Sequence, residues 1–336
     1  NIRRKEKNLF TENETGEPLA IYGARNEIDE AWFVAVTAQK LIEGGTPPAE
    51  IAVLYRENFQ SRAIEEALLH LNVPYRVLGT RFFERKEVKD LLSYIRAALN
   101  PLSKVDFARA VATPSRGIGK TTLEKLFAGQ GTGLNTAAQS KITIFKEMLT
   151  KIAHAAKTLP PSETLRYALE VSGMETMYKK DRVEGAERME NLNELLNLAV
   201  RYDDVLPPEG IEKMLEEAAL QSDQDELAET KDAVTLMTAH ASKGLEFDVV
   251  FVTGLEQGLF PSTRVDTRDP EEERRLFYVA ITRARKRVYL SYAGDRMRWG
   301  ARERTMPSEF FDDIDPRLVV SVTPDGSVGE KTIEFL

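Results

Sequence analysis

The sequence predicts an α/β protein in which a parallel-sheet domain is interrupted by a mostly α-helical insertion. Three observations carry this expectation. Strand and helix patterns alternate from Leu19 to Gly79. From Glu84 to about Leu227 the pattern is almost entirely helical. Strand patterns then return at Ala233–Thr238, Val249–Gly254 and Arg287–Ala293, with a helix at Pro270–Thr282 between the last two. The simplest account is one α/β domain in two parts, 1–87 and 230–325, with a helical insertion over 88–229 and a tail over 326–336.

Each element has a local cause. Leu19–Ala24 is a short apolar strand, and Asn26 is placed to cap the helix that follows. Ile28, Trp32, Ala35 and Ile42 fall at helical spacing, Gln39 is the one polar exception, and Gly44-Gly45 stops the helix. Ile51–Tyr55 is a continuous apolar run, as expected of a strand buried on both faces of a parallel sheet. A helix through Ile64, Ala67, Leu68 and Leu71 and a strand at Val73–Gly79 complete the first part. In the insertion, Val88, Leu91, Leu92, Ile95 and Leu99 mark a helix that Asn100-Pro101 ends. Further helices are expected at Phe107–Ala112, Thr122–Phe127, Ile144–Ala156, Glu163–Val171, Gly185–Tyr202 and Gly210–Gln221. Gly129–Gly133 and Pro207-Pro208 read as loops, and the acidic, polar stretch Ser222–Asp232 as a hinge or linker.

Composition narrows the function classes. A length of 336 residues corresponds to roughly two domains at about 100–200 residues each. Hydrophobic residues are 42% and charged residues 30%, enough to bury real cores. No apolar run approaches the roughly 18–20 residues a membrane span needs, and no apolar signal core follows the basic Asn1–Lys7. A cytoplasmic protein with no membrane partner is the expectation. The absence of cysteine excludes disulfides and thiolate metal sites. The three histidines, His70, His154 and His240, are far apart in sequence, so no histidine metal cluster is expected. A net charge of −8 argues against a general nucleic-acid coat. It leaves room for a local basic patch: Arg283, Arg285, Lys286, Arg287, Arg296, Arg298, Arg302 and Arg304 are opposed within their own stretch only by Asp295 and Glu303.

Three segments combine chemistry-bearing residues with strand ends. Thr238–Phe247 places His240, Lys243, Gly244 and Glu246 in a polar loop after one strand and before another, where α/β sheets bind ligands. Glu271–Arg285 opens with acids, which suit a helix N-terminus, and ends in Thr282-Arg283-Ala284-Arg285 leading directly into a strand. Val53–Arg62 puts Tyr55 and Arg56 at a strand end, where an aromatic ring can stack on a base and a guanidinium can meet a phosphate.

Taken together, in this order and spacing, the three segments resemble motifs IV, V and VI of the UvrD/PcrA/Rep group of superfamily 1 DNA helicases. Arg81–Asp90 and Pro114–Gly119 also resemble stretches of that family, and the resemblance covers nearly the whole chain. It implies a RecA-like motor domain, 2A, interrupted by a helical insertion, 2B. By the same resemblance, Tyr55 stacks on adenine, Arg56 reaches the γ-phosphate, and Glu246 contacts the ribose. Arg283 acts as an arginine finger, a role that suits a guanidinium facing charge spread over a transferring phosphoryl group. His240 contacts single-stranded DNA, and Lys243 and Gly244 shape its loop. The implied ligands are ATP with Mg²⁺, whose metal ligands are expected on an N-terminal motor domain, and single-stranded DNA with duplex–single-strand junctions. The implied partners are the N-terminal 1A/1B domains, with repair or transcription proteins through 2B.

Gly117-Ile118-Gly119-Lys120-Thr121-Thr122 ends like a phosphate-binding P-loop, but the full pattern requires a glycine where Pro114 stands, and no buried strand precedes it. The resemblance makes this turn a helix–hairpin–helix-like element facing duplex DNA. Arg116, Gly117, Ile118, Gly119, Lys120 and Thr121 are its candidate contacts, with Thr121 or Thr122 as a cap. No segment offers a Walker A sequence or an apolar strand ending in Asp-Glu. The chain is therefore expected to be the C-terminal half of a 3′-to-5′ helicase of DNA repair or replication, without ATPase activity alone. The alternatives are the motor half of a helicase–nuclease subunit of the AddAB or RecB kind and a standalone DNA- or protein-binding module.

Overall fold

A computed structural model describes residues 16–227, 232–263, 269–298 and 300–328, with side chains omitted over 222–227. The chain forms two compact units. One holds the described residues of 1–81, 225–297 and 302–336, the other those of 82–224 and 298–301.

The first unit is built on a parallel sheet of strand order β3-β4-β2-β5-β6-β1-β8, with β7 paired to β6 outside that path. Its strands are β1 (Leu19–Asn26), β2 (Ile51–Tyr55), β3 (Tyr75–Val77), β4 (Val234–Thr238), β5 (Phe247–Val252), β6 (Ala284–Arg298), β7 (Ala301–Arg304) and β8 (Val319–Ser321). The apolar run of β2 lies at the sheet's centre, parallel to β4 on one side and β5 on the other, with every residue buried. Alternation along the strand divides it between two cores. Ile51, Val53 and Tyr55 face the helices α1 (Glu27–Glu43) and α2 (Ser61–His70), whose Phe33, Val34, Ile64 and Leu68 fill that layer. Ala52 and Leu54 face the opposite layer, with Leu276 and Phe277 of α11 (Pro270–Ile281), Phe260 from a loop and Phe310 from a short 3₁₀ helix (Glu309–Asp313). The side chain of Asn26 accepts from the amides of Ile28 and Asp29, which starts α1 where the sequence placed its cap.

The second unit is helical. It contains α3 (Lys86–Leu99), α4 (Lys104–Ala112), α5 (Lys120–Phe127), α6 (Thr136–Thr158), α7 (Pro161–Val171), α8 (Met174–Lys180), α9 (Gly185–Ala199) and most of α10 (Glu209–Leu227). The wholly buried Leu91, Tyr94 and Ile95 of α3 anchor its core, against which Phe107, Phe145 and Leu192 pack.

Several expectations change. The α10 helix extends to Leu227, well into the stretch read as a linker, because Ser222–Leu227 contains neither Gly nor Pro to stop it. Residues 228–231 lie outside the described residues. The β6 strand is longer at both ends than the apolar run suggests, since its ends are polar and part-exposed. Helix α8, which follows a left-handed Gly173, strand β7 and the three-residue β8 are too short to announce themselves. Among the described residues no helix is long and apolar enough to cross a membrane.

The basic stretch after Arg283 is largely neutralised by acids, most of them distant in sequence. Arg285 pairs with Glu50 and Asp248, Lys286 with Asp248, Arg287 with Glu17, and Arg302 with Asp295 and Glu27. Arg296 is buried between two carboxylates: Nη2 donates to Glu256 Oε1 at 2.6 Å and to Glu30 Oε2 at 2.7 Å. Glu30 also accepts from the Gly254 amide and the Ser291 hydroxyl, and Glu256 from the Ala293 amide. Every part of this network is fixed by a hydrogen bond, so its removal is costly. Arg296→Ala should destabilise the sheet unit by about 3–5 kcal/mol by leaving buried carboxylates uncompensated. Urea unfolding should show this, and Glu30→Gln added to Arg296→Ala should recover part of the loss.

Candidate functional site

Two clusters of candidate residues occur in the sheet unit, at opposite ends of α11. The first lies where β2 and β4 end. Arg56, immediately after β2, is buried and meets Glu273 in the first turns of α11. Arg56 Nε donates to both Glu273 carboxylate oxygens at 3.0 Å, and Nη2 donates to Oε1 at 2.7 Å. Nη1 reaches Glu57 at 3.3 Å. The Ser262 amide donates to Glu273 Oε2 at 2.9 Å. Gln60 holds the turn after β2, its Oε1 accepting from the amides of Arg56 and Glu57 at 3.1 and 2.8 Å. Burial works against the charge on Arg56, but Glu273 and Glu57 overcome it and hold its pKa above the ordinary value.

His240 stands beside this pair. It follows β4, whose end is aligned with Tyr55 of β2. The ring is at the exposed rim, yet the protein around it withholds solvent, and that desolvation together with the Arg56 charge lowers its pKa. Glu273 and Glu272 oppose the effect only in part. Beyond it the chain turns through buried Ser242, whose hydroxyl donates to Ala239 O, and then through exposed Lys243 and Gly244. Gly244 has φ +89°, in the left-handed region that glycine adopts most readily.

The second cluster lies where β5 and β6 begin. Arg283 follows α11 and is half-buried. Its guanidinium makes three hydrogen bonds, all to neutral oxygens: Nε to Val279 O at 2.9 Å, Nη1 to Leu245 O at 3.0 Å and Nη2 to Thr282 Oγ1 at 3.1 Å. The Phe247 amide donates to Arg283 O, so the exposed Glu246 is held at this end. Tyr278, a turn earlier on α11, is 47% exposed and adds an aromatic ring to this surface that the sequence reading did not single out.

The structure thus separates residues that the sequence grouped. Arg56 is engaged by Glu273 in the first turns of α11, whereas Arg283 follows the end of that helix. Arg56 is in a buried ion pair rather than open to an anion. Tyr55 is wholly buried, because strand alternation turns it with Ile51 and Val53 toward α1 and α2. As placed here, the ring offers no face to an adenine. Glu273 was visible only as one of three acids suited to a helix N-terminus, and its long-range partner gave no local signal.

The Gly117–Lys120 turn occupies the helical unit. Gly117 has φ +65°, and Gly119 is the extended N-cap of α5, with no side-chain cap. Thr121 and Thr122 lie inside the first turn of α5, so neither is the cap. Arg116 departs from the expectation of a DNA contact. Its guanidinium donates to Pro114 O at 2.7 Å and Ser172 O at 2.8 Å and lies over the rings of Tyr94 and Phe145. Ile118 is in the core. The exposed positions at the turn are Gly117, Gly119, Lys120 and Thr121, joined by Lys141 of α6, whose Nζ donates to Gly117 O at 3.4 Å.

Residues 1–295 match the UvrD-like helicase C-terminal domain family. The chain belongs to that family. It is 38% identical to DNA helicase II of Haemophilus influenzae, over 98% of this chain and 48% of the relative. It is 37% identical to DNA helicase II of Escherichia coli, over 96% of this chain and 48% of the relative. Against ATP-dependent DNA helicase PcrA of Bacillus subtilis the identity is 36%, over 95% and 47% respectively. The chain spans about half the length of these curated relatives. Family membership fits the α/β sheet with its helical insertion.

The proximity of His240 to Arg56 has a direct readout. With only three histidines in the chain, each imidazole can be followed by NMR. His240 should titrate below its ordinary midpoint of about 6.5, and Arg56→Ala should raise that midpoint. A His240 midpoint that does not respond to Arg56→Ala would separate the two residues.

Proposed function

We propose that this chain supplies the 2A and 2B parts of an ATP-dependent DNA helicase, with 2A over 1–87 and 230–325 and 2B over 88–229. The single observation that carries the reading is Arg283: a guanidinium held in place by three neutral oxygens keeps its full positive charge for an anion. Pre-oriented charge of this kind stabilises a phosphoryl group in transfer without reorganising at the moment of reaction. The three oxygens leave donor capacity on a five-donor fork, so phosphate can be added to the existing contacts. Glu246, held at the same end, fits the expected ribose contact. Arg56 reaches a phosphate only after exchanging Glu273, and Tyr55 reaches an adenine only after leaving its buried position.

ATP would lie between this surface and an N-terminal motor domain that supplies the Mg²⁺ ligands. Among the described residues no group of three His, Asp or Glu side chains is placed to hold a metal. His240 and Lys243 line the loop that would meet single-stranded DNA, with translocation in the 3′-to-5′ direction. The Gly117–Lys120 turn would take a duplex backbone phosphate at the uncapped start of α5. Lys120 and Lys141 would add charge there, and such contacts carry no base sequence.

In the full-length enzyme, Arg283→Ala should reduce DNA-stimulated ATP turnover by about a thousandfold or more while sparing most DNA affinity. Arg283→Lys should not restore it, because an ammonium lacks the planar fork that meets all three acceptors. Near-normal turnover in either variant would make Arg283 structural.

Lys120→Ala should weaken junction binding equally for different sequences and reduce the salt dependence by about one charge, with ATP affinity unchanged. Loss of ATP binding with junction binding intact would restore the P-loop interpretation of this turn.

A further inference from the structure

The Arg56–Glu273 pair is more than a surface salt bridge, and the family assignment leaves Glu273 without a role. Both side chains are under a tenth exposed. The carboxylate engages Nε and Nη2, the two nitrogens on one edge of the guanidinium, in the bidentate geometry that a phosphate also uses. Glu57 lies on the remaining nitrogen, Nη1, at the longer distance of 3.3 Å. The strong donor edge of Arg56 is therefore already occupied by an anion that belongs to the protein.

We infer that Glu273 is a positioning residue that competes with a nucleotide phosphate for the same edge of Arg56. The inference rests on the reading of this chain as half of an ATP cleft, and it deepens that reading by naming the internal competitor. Its physics follows from burial. Separating the pair would leave a desolvated carboxylate with the Ser262 amide as a remaining donor, which favours the closed pair. An entering phosphate supplies the negative charge that Arg56 requires, so exchange replaces one anion by another instead of exposing a bare cation. Glu273 then becomes free to move with the first turns of α11 and the Ser262 loop. Both belong to the connection that ends at Arg283, so release of Glu273 at one end of α11 is linked through a rigid helix to the cation at the other.

A helix N-terminus alone would account for an acid near position 273, as it accounts for Glu271 and Glu272. It would not require burial, three hydrogen bonds from one distant arginine, and a fourth from a loop amide. The four groups that meet here come from the turn after β2, the loop after β5 and α11. Gln60 fixes the Arg56 backbone from the fourth position of the same turn, so the guanidinium has a set origin and two anions to choose between.

The test uses the full-length enzyme with a fluorescent, non-hydrolysable ATP analogue and steady-state ATPase assays. Glu273→Gln keeps the shape and an oxygen for the Ser262 amide but removes the competing charge. The analogue's Kd should fall about fivefold or more, the lower end of the range for linked binding equilibria. The KM for ATP should fall with it, while kcat should not rise. In an Arg56→Ala background the same substitution should leave Kd unchanged. Glu273→Asp, which retains charge but draws it back, should give a smaller tightening. An unchanged or higher Kd for Glu273→Gln, or equal tightening with Arg56 absent, would overturn the competition. Loss of folded protein in both Glu273 variants would identify a purely structural tie and also overturn it. Failure of the underlying reading has a different signature: Arg56→Ala alone would leave analogue affinity untouched.

Discussion

A parallel sheet obliges every connection to return the chain from the carboxyl edge of one strand to the amino edge of the next. In this protein two such returns carry the candidate chemistry. The segment 239–246 runs from β4 to β5, which flank β2 on opposite sides, so it must pass over β2. Ala239 packs in the layer of α11, which places the start of that crossing on the same face. The α11 helix makes the return from β5 to β6. His240 and Glu273 are therefore delivered to the carboxyl edge beside Arg56, while Glu246 and Arg283 are delivered to the amino edge. The separation of the two clusters is a consequence of topology, and α11 is the rigid element common to both.

The two arginines that the family reading treats alike are in opposite electrostatic states. Arg56 is desolvated and neutralised by Glu273, with Glu57 beside it. Arg283 is half-buried and satisfied by carbonyl and hydroxyl oxygens that leave its charge uncompensated. Formal charge along the sequence does not reveal this difference. The same lesson holds for the basic run after Arg283. Its counter-charges, Glu17, Glu27, Glu30, Glu50, Asp248 and Glu256, come from segments remote in sequence that the parallel register brings alongside. Much of a stretch that reads as a cationic patch becomes ion pairs once the sheet forms.

What the sequence made legible was local. The apolar run of β2, the Asn26 cap, the acidic start of α11 and the glycine turn before α5 each follow from residues within a few positions of one another. Their elements were placed closely for that reason. Helix α10 overran its expected end because polarity was taken for a linker where no residue breaks a helix. Tyr55 was read as a stacking platform from its place at a strand end, but which face it occupies depends on the period-two register and on what covers that face. Arg116 was read as a cation for DNA beside a glycine turn. Its partners, Tyr94, Phe145 and the Ser172 carbonyl, come from three other helical segments. For Tyr55 and Arg116 the missing information was long-range pairing, which a single chain read from end to end does not display.

The buried polar groups at the carboxyl edge converge on one backbone position. Gly254, just after β5, donates its amide to Glu30 and so enters the network around Arg296 and Glu256. A Cβ on Gly254 would collide with Gln60 Nε2, and Gly254 also has φ +70°. Gln60 in turn fixes the amides of Arg56 and Glu57. The Arg296 network, which joins α1 to β6, and the Arg56 network, which joins β2 to α11, therefore pack against each other through a residue that must lack a side chain. Neither can shift far without disturbing Gly254, where one network holds the amide and the other fills the space beside Cα. This contact makes the carboxyl edge a single preorganised polar layer, in which the position of the Arg56 guanidinium is set from both sides.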